Sequence, residues 1–262
     1  MKIQQIYNMI DGYAPFSLQE SWDRSGLLVG SPQAEATSVM LTLDITVPVV
    51  YEAKKHGAQL IISHHPVIWE PLRTISHDHP VWHLVRHQIG AICAHTNLDI
   101  AKGGLNDYIG RMMRKYLPLS SDFEPLSPLS GERALGRAAA LGEAFEAKKL
   151  AYILQRIFHC RSMRYYEGAH SQYIRKIAWC SGSGGDLISD AISVGADALI
   201  TGDCKHSVWA EAQNRSFTLF DCGHFETEVP VVRLLSRILM KNAPQLQINI
   251  SRYGTEPYFR TI

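Results

Sequence analysis

The sequence has no excess of charge of either sign, no long apolar run and no closely spaced cysteine pair. Its 26 Lys and Arg balance 25 Asp and Glu, for a formal net charge of +1. This balance favours neither nucleic acid nor an anionic membrane as a partner. No stretch approaches the roughly 18 apolar residues of a membrane span, and the first residues lack the apolar segment of a signal peptide. We therefore expect a soluble, cytoplasmic protein that acts on a small molecule.

The cysteines are few, odd in number and scattered, and no C-x-x-C pair occurs among them. This spacing does not indicate a disulfide framework. We expect reduced thiols that are buried as small apolar side chains. They are Cys93, Cys160, Cys180, Cys204 and Cys222.

An internal repeat is the clearest organisational signal. Residues 53–65, AKKHGAQLIISHH, resemble residues 191–203, AISVGADALITGD, in the order helix end, Gly-Ala, apolar strand and polar cluster. Strands that alternate with helical patterns predict an α/β fold in which helices flank the sheets, and ligands gather at the carboxyl ends of strands in such sheets. We expect two related halves, residues 1–127 and 128–262, with a boundary near PLSPLSGER, residues 125–133.

Two adjacent histidines follow the apolar run of the first repeat copy. His64 and His65 come directly after the strand predicted to end at Ser63, and Pro66 prevents regular strand pairing from continuing. Two side chains at a chain reversal can approach one point from opposite sides, which suits a pair of metal ions that each bind one imidazole. A surface pair or a capped turn is the alternative interpretation.

Two further segments place metal-ligand residues at predicted strand ends. AHTNLD, residues 94–99, carries Asp99, and DCGHFETE, residues 221–228, carries His224 and Glu228. The pattern TEVPVVRLLSRIL predicts a helix that begins near Thr227, with Pro230 in its first turn.

These strand ends, from both halves, are expected to converge on one metal-binding crevice. Imidazole and carboxylate ligands favour Zn, Fe or Mn over Ca or Mg. His95 is not assigned as a ligand; it could act as a general acid or base or could orient a ligand. The predicted metal ligands are His64, His65, Asp99, His224 and Glu228.

Three other motifs have two interpretations each. His83 and His87 share one helical face, and we favour a solvated face over a metal-binding pair. The Gly-rich turn at residues 182–185 could hold an anion or form a tight turn without a ligand. Asp203 could face the cleft, together with Lys205 and His206, or could cap a helix.

Several motifs in order along the chain resemble those of the NGG-interacting-factor-three-like family, many of whose members are named GTP cyclohydrolase 1 type 2 homologues. The resemblance covers nearly the whole chain. The motifs are SWDRSGLLVG (21–30), SHHP (63–66), HTNLD (95–99), GGLND (103–107), GSGG (182–185), GADALITGD (195–203), GHFETE (223–228) and TEPY (255–258).

The resemblance implies a dinuclear metal centre on the same five ligands, in the cleft between two related α/β halves, and a hexameric ring built from dimers. It also implies a GTP cyclohydrolase-type reaction, in which metal-bound hydroxide opens the guanine imidazole ring at C8 and formate is released. Three positions depart from the pattern of the family, which weakens any transfer of substrate. They are Arg24, Ser25 and Ser207.

Two other functions remain open at the level of sequence. A dinuclear centre could serve a phosphatase of a small metabolite, since the same chemistry cleaves phosphoesters. The site could instead hold ions without catalysis, in a metal-binding regulatory or metal-delivery protein. An open coordination position would favour an enzyme, and a closed ligand shell would favour storage or delivery.

Overall fold

A computed structural model of the chain describes residues 1–126, 128–130, 133–169 and 173–258. Within these ranges the α-helices are α1 (Ile3–Tyr13), α2 (Val47–Lys55), α3 (Pro80–Arg86), α4 (Thr96–Ile100), α5 (Leu105–Met113), α6 (Ala147–Phe158), α7 (Ile188–Ser193), α8 (His206–Asn214), α9 (His224–Glu228) and α10 (Pro230–Asn242). The strands are β1 (Gly26–Val29), β2 (Ser38–Thr42), β3 (Leu60–Ser63), β4 (Gly90–Cys93), β5 (Glu124–Pro125), β6 (Pro128–Ser130), β7 (Arg133–Ala134), β8 (Arg137–Phe145), β9 (Arg164–Tyr166), β10 (Ile174–Trp179), β11 (Ala198–Thr201), β12 (Thr218–Asp221) and β13 (Gln247–Ile250).

The chain divides into two compact units. Unit 1 contains Met1–Ala101 and the described residues from Val231 to Tyr258, and unit 2 contains Lys102–Pro230. These boundaries differ from the halves expected at 1–127 and 128–262, because α10 and β13 return to unit 1 and β13 pairs with β2. Residues 127, 131 and 132 of the expected boundary segment lie outside the described residues.

Unit 1 is built on a five-stranded sheet in the order β1-β4-β3-β2-β13. Strands β4, β3, β2 and β13 are parallel, and β1 runs antiparallel to β4 at one edge. All residues of β2, β3 and β4 are buried, as in parallel strands that are covered on both faces. The last residues of β3 and β4, Ser63 and Cys93, are paired in register, so the segments after these two strands start side by side.

Unit 2 is built on a six-stranded sheet in the order β5-β8-β10-β11-β12-β9. The three strands β10, β11 and β12 are parallel. The outer strands each run antiparallel to their inner neighbour: β8 to β10, β5 to β8 and β9 to β12. Thr201 at the end of β11 pairs with Asp221 at the end of β12. The loops that follow these two strands therefore begin at neighbouring positions.

The predicted fold class is confirmed in that both units are mixed α/β, with helices packed on sheets. In unit 1, α2 and α3 pack on the sheet through a buried cluster that includes Val50, Ile61 and Leu84. In unit 2, α7 and α8 do so through a cluster that includes Ile188 and Leu199. The interpretation of the two halves as copies of one repeated unit stays a prediction.

The helix expected to begin near Thr227 was placed wrongly. Helix α9 already begins at His224 and ends at Glu228, and α10 then begins at Pro230. Proline has no amide hydrogen, so Pro230 cannot donate to the carbonyl four residues back and a new helix starts there. Glu228 therefore lies at the end of a short helix and not near the start of a long one.

The burial predicted for the cysteines is confirmed, because all five side chains are buried and carry free thiols. None of the helices that the described residues form is long and apolar enough to cross a lipid bilayer.

Candidate metal-binding site

His64 is held in one orientation by the neighbouring strand. Its side chain is fully buried, and its Nδ1 lies 2.9 Å from the backbone oxygen of Ala94, the residue after β4. A carbonyl oxygen only accepts hydrogen bonds, so Nδ1 carries the proton and a neutral His64 ring presents a lone pair at Nε2. The register of β3 and β4 creates this contact, because it aligns the ends of the two strands.

Asp99 lies beside this nitrogen. It is buried on α4, and its Oδ1 is 3.6 Å from Nε2 of His64. This separation is too long for a hydrogen bond. It is close to the roughly 3.4 Å between two ligand atoms that bind one tetrahedral zinc ion at about 2.1 Å each. The donor types and their spacing therefore fit a shared divalent ion.

His65 and His95 complete a cluster of imidazoles in unit 1. Nδ1 of His65 lies 2.8 Å from Oδ1 of Asp44, and Nδ1 of His95 lies 2.8 Å from Oδ1 of Asp23. The three rings are 5.1–5.4 Å apart between centroids. One ring nitrogen of each histidine lies within 4.8 Å of one from each of the other two. The adjacent His64 and His65 therefore face one common point.

Asp23 is a site residue that motif spacing did not reveal. It is buried, and burial alone would raise its pKa. The hydrogen bond from His95 and the electrostatic attraction between this ring and the carboxylate, with hydrogen bonds from Thr96 and the backbone N–H of Arg24, nevertheless hold the pKa of Asp23 well below its usual range. Its only sequence signal is the motif SWDRSG, and nothing there links it to a histidine 72 positions away.

Two exposed tryptophans flank the His95 ring. Trp22 is 55% exposed and Trp69 is 45% exposed. Their ring centroids lie 5.9 Å and 5.4 Å from that of His95, in edge-on geometry. Large apolar rings left open to solvent beside a polar cluster are typical of ligand-binding surfaces.

His224 in unit 2 has a carboxylate at each ring nitrogen. Nδ1 lies 2.9 Å from Oδ2 of Asp203, and Nε2 lies 2.9 Å from Oε2 of the buried Glu228. The pairing with Glu228 arises because the two residues are four positions apart on α9. An imidazole between two carboxylates requires either a second proton or a cation shared by Nε2 and Glu228. The pair therefore also fits a metal ion.

The Gly-rich turn at residues 182–185 packs directly against this pair. Gly182 has a φ of +63°, and a Cβ added there would overlap Oε1 of Glu228 and lie 3.4 Å from Nε2 of His224. The N–H groups of Gly182 and Gly184 donate to the hydroxyls of Thr227 and Thr201. Because these two N–H groups are already engaged, the geometry favours a tight turn over an anion site.

Asp203 does not cap a helix. Helix α8 begins after Lys205, and the carboxylate of Asp203 accepts from His224 instead. Lys205 and His206 are exposed at the start of α8. The interpretation of His83 and His87 as a solvated face is wrong for His83, which is buried, because α3 packs on α2 and places His83 beside Tyr51.

The structure thus places the predicted ligands in two groups, each within one unit. His64, His65 and Asp99 lie together in unit 1 with His95, and His224 and Glu228 lie together in unit 2. Within unit 1, the buried His64, His95 and Asp99 and the partly buried His65 form a set that could bind a metal ion. The oxygen partners of the Nδ1 atoms were mostly absent from the sequence predictions. They are Ala94, Asp44, Asp23 and Asp203.

Comparison with known proteins assigns the chain to a family. The model of the family described as Duf34/NIF3 (NGG1p interacting factor 3) matches residues 1–257. A Clostridium perfringens protein named GTP cyclohydrolase 1 type 2 homolog is 31% identical over 98% of this chain and 99% of its own length. A Campylobacter jejuni protein of the same name is 33% identical over 95% of each chain. The crystal structure of the Staphylococcus aureus hypothetical protein SA1388 superposes with a TM-score of 0.88 and 26% identity, and covers 100% of this chain and 99% of its own. The family model over nearly the whole chain and the identity to these relatives show that the chain belongs to the DUF34/NIF3 family.

Proposed function

We propose that the protein is a metal-dependent hydrolase that binds two divalent ions per chain, Zn, Fe or Mn. One observation carries this proposal: each histidine among the proposed ligands has its Nδ1 against an oxygen of the protein. Metal-binding histidines show this arrangement, because the bond at one nitrogen fixes the ring and increases the basicity of the other. The proposed ligands are His64, His65, Asp99, His224 and Glu228.

The oxygen partners determine how each ligand is presented. Ala94 supplies a backbone carbonyl to the fully buried His64, and Asp44 and Asp203 supply carboxylates to His65 and His224. A carboxylate partner adds negative charge beside the ring, which strengthens its binding to a cation. When bound, the ions would supply Lewis acidity and lower the pKa of a coordinated water.

His95 is proposed as the general acid or base. Its Nδ1 is engaged by Asp23, so Nε2 is the nitrogen that can exchange a proton with a substrate. A neutral ring in this state accepts a proton at Nε2 and can return it to a leaving group. The exposed rings of Trp22 and Trp69 flank His95 and could support a flat substrate.

For the substrate we propose a nucleotide, with GTP as the first candidate. Support comes from the name of the relatives, GTP cyclohydrolase 1 type 2 homolog. Stacking of a base on an exposed aromatic side chain contributes about 1–3 kcal/mol, so Trp22 and Trp69 offer a chemically suitable surface for guanine. The hexameric ring implied by the resemblance and the cytoplasmic location expected from the sequence belong to the same proposal, and light scattering measures the subunit number.

The test combines metal content with turnover. Elemental analysis should give about two ions per wild-type chain, and H64A and E228A should each lose one or both. H56A is a matched control, because His56 is an exposed histidine at the end of α2. Formate release from GTP should depend on the ions and stop on chelation.

Each outcome separates the alternatives. Unchanged metal content in both H64A and E228A would refute the ligand assignment. Two ions without formate would exclude GTP ring opening, and a screen of phosphoesters would then test the phosphatase alternative. Bound ions without turnover of any nucleotide or phosphoester would favour a metal-binding regulatory or delivery protein.

A further inference from the structure

We propose that Asp23 is a positioning residue for His95, and that it fixes the ring in the tautomer with the proton on Nδ1. This inference rests on the acid-base role proposed above for His95. It also assigns a function to the motif SWDRSG, which the proposed metal ligands leave unexplained.

One oxygen of Asp23 faces two hydrogen-bond donors. Oδ1 accepts from the backbone N–H of Arg24 at 2.6 Å and lies 2.8 Å from Nδ1 of His95. Since the amide of Arg24 can only donate, Oδ1 must act as an acceptor at this position. An ionised carboxylate accepts at both oxygens, so His95 donates from Nδ1.

The other oxygen faces donors as well. Oδ2 contacts the hydroxyls of Ser25 and Thr96 and the backbone N–H of Thr96, the last at 3.0 Å. Each hydroxyl already accepts a backbone N–H, Ser25 from His95 and Thr96 from Glu20. The hydroxyl hydrogens are therefore available to Asp23, and each of these contacts of the carboxylate is an accepted hydrogen bond.

An ionised carboxylate is consequently the group that this pocket requires. Asparagine has the same shape, but one of its two terminal groups is an NH2 donor. In either amide orientation that NH2 would face groups that also donate. The NH2 should face His95, because this orientation keeps the amide oxygen at the position of Oδ2, where three donors meet it. Nδ1 would then have to accept, and the ring proton would move to Nε2. Removal of the charge in D23N should therefore change the tautomer of His95, as a direct consequence of donor matching.

The same carboxylate also supports the helix that carries Asp99. Thr96 is the first residue of α4, and its N–H and hydroxyl both bind Asp23. A charge at the start of a helix matches the unpaired N–H groups there. Asp23 thus contacts both the proposed proton-transfer group and the helix that carries a proposed metal ligand. A test must therefore measure the tautomer of His95 separately from metal binding.

The experiment is solid-state 15N NMR of the full-length, 15N-histidine-labelled protein at pH 8 after chelation. The His95 signals are identified by difference from H95Q. In the wild type we expect the Nδ1-protonated tautomer, and in D23N we expect the Nε2-protonated tautomer. D44N is the matched control: it removes the corresponding carboxylate from His65 and should change the His65 signals while those of His95 stay.

Turnover and metal content are measured beside the spectra. We expect D23N to lower formate release from GTP by about 10²–10⁴-fold, the range for loss of a general acid or base. A wild-type spectrum with the proton on Nε2 would overturn the proposal, whether or not D23N folds. An unchanged His95 tautomer in folded D23N would overturn it too. Absence of GTP turnover in the wild type would count against the proposed function alone, because the tautomer is read without a substrate.

Discussion

Replacement of Gly182 by alanine should weaken metal binding in unit 2 through a direct steric conflict. Gly182 has a left-handed backbone, and an added Cβ would overlap Oε1 of Glu228 and lie 3.0 Å from its Cδ. Glu228 is buried, so its carboxylate cannot simply rotate into solvent. We expect it to move away from His224 and thereby disrupt the pair that fits a metal ion.

The expected loss of unfolding free energy in G182A has two separable parts. A left-handed conformation costs a non-glycine residue about 1–2 kcal/mol. Steric conflict in a packed region costs about 1–3 kcal/mol more. Gly195 is a matched control in the same unit: its φ is +72°, and among the described residues no atom lies within 4 Å of a Cβ added there. G195A should show the first cost alone, and G182A should show both.

Urea unfolding of the chelated proteins measures the loss of stability, and calorimetric titration with Zn²⁺ measures the effect on metal binding. G195A should lose about 1–2 kcal/mol of unfolding free energy and keep its zinc affinity. We expect G182A to lose about 2–5 kcal/mol and to bind zinc about 10–100-fold more weakly, the range for disturbed ligand geometry. Equal stability and equal zinc affinity in the two variants would refute the inference that Gly182 makes room for Glu228.

Two further predictions concern other residues of the fold. Asn tolerates the left-handed backbone of Asp203, whose φ is +50°. D203N should therefore keep the fold but weaken zinc binding about 10–100-fold through His224. Calorimetry measures the zinc affinity, with D186N as the exposed control. Equal zinc affinities in the two variants would contradict the role of Asp203. All five thiols are buried, and burial, with the nearby Asp221 carboxylate, raises the pKa of Cys204 to about 12. A thiol reagent at pH 8 should therefore modify the native protein slowly and titrate five thiols in denaturant, and rapid labelling of the native chain would contradict this burial.

The sequence predicted the positions of the proposed ligands better than their surroundings. A run of apolar residues that ends at Ser63, followed by Pro66, is a local signal for a strand end, and β3 ends there. His64 and His65 were therefore placed correctly relative to the strand. Patterns of this kind extend over a few residues, and propensity and periodicity can detect them.

The partners of the histidines could not be predicted in the same way. Asp23 lies 72 positions from His95, and Asp44 lies 21 positions from His65. These contacts depend on how strands are ordered in the sheet, which periodicity does not encode. Asp203 was noticed only because it ends the second repeat copy, and its two interpretations could not be separated before the loop geometry was known.

The boundary between the two units was missed for a related reason. Local composition changes near residues 125–133, but the pairing that defines unit 1 joins Val39 to Ile248. The local sequence at the point where unit 1 is interrupted does not indicate that an edge strand will later return to its sheet. The error at Thr227 was local instead, because Pro230 fits either the first turn of a helix or a break between two helices.

The return of β13 to the first sheet has a consequence for biosynthesis. Unit 2 is continuous in sequence, from Lys102 to Pro230, whereas unit 1 needs a strand that begins at Gln247. On a ribosome that adds about 5–20 residues per second, the first hundred residues emerge many seconds before β13 is available to pair with β2. During that interval β2 is an uncovered sheet edge, the kind of surface to which chaperones and other nascent chains bind.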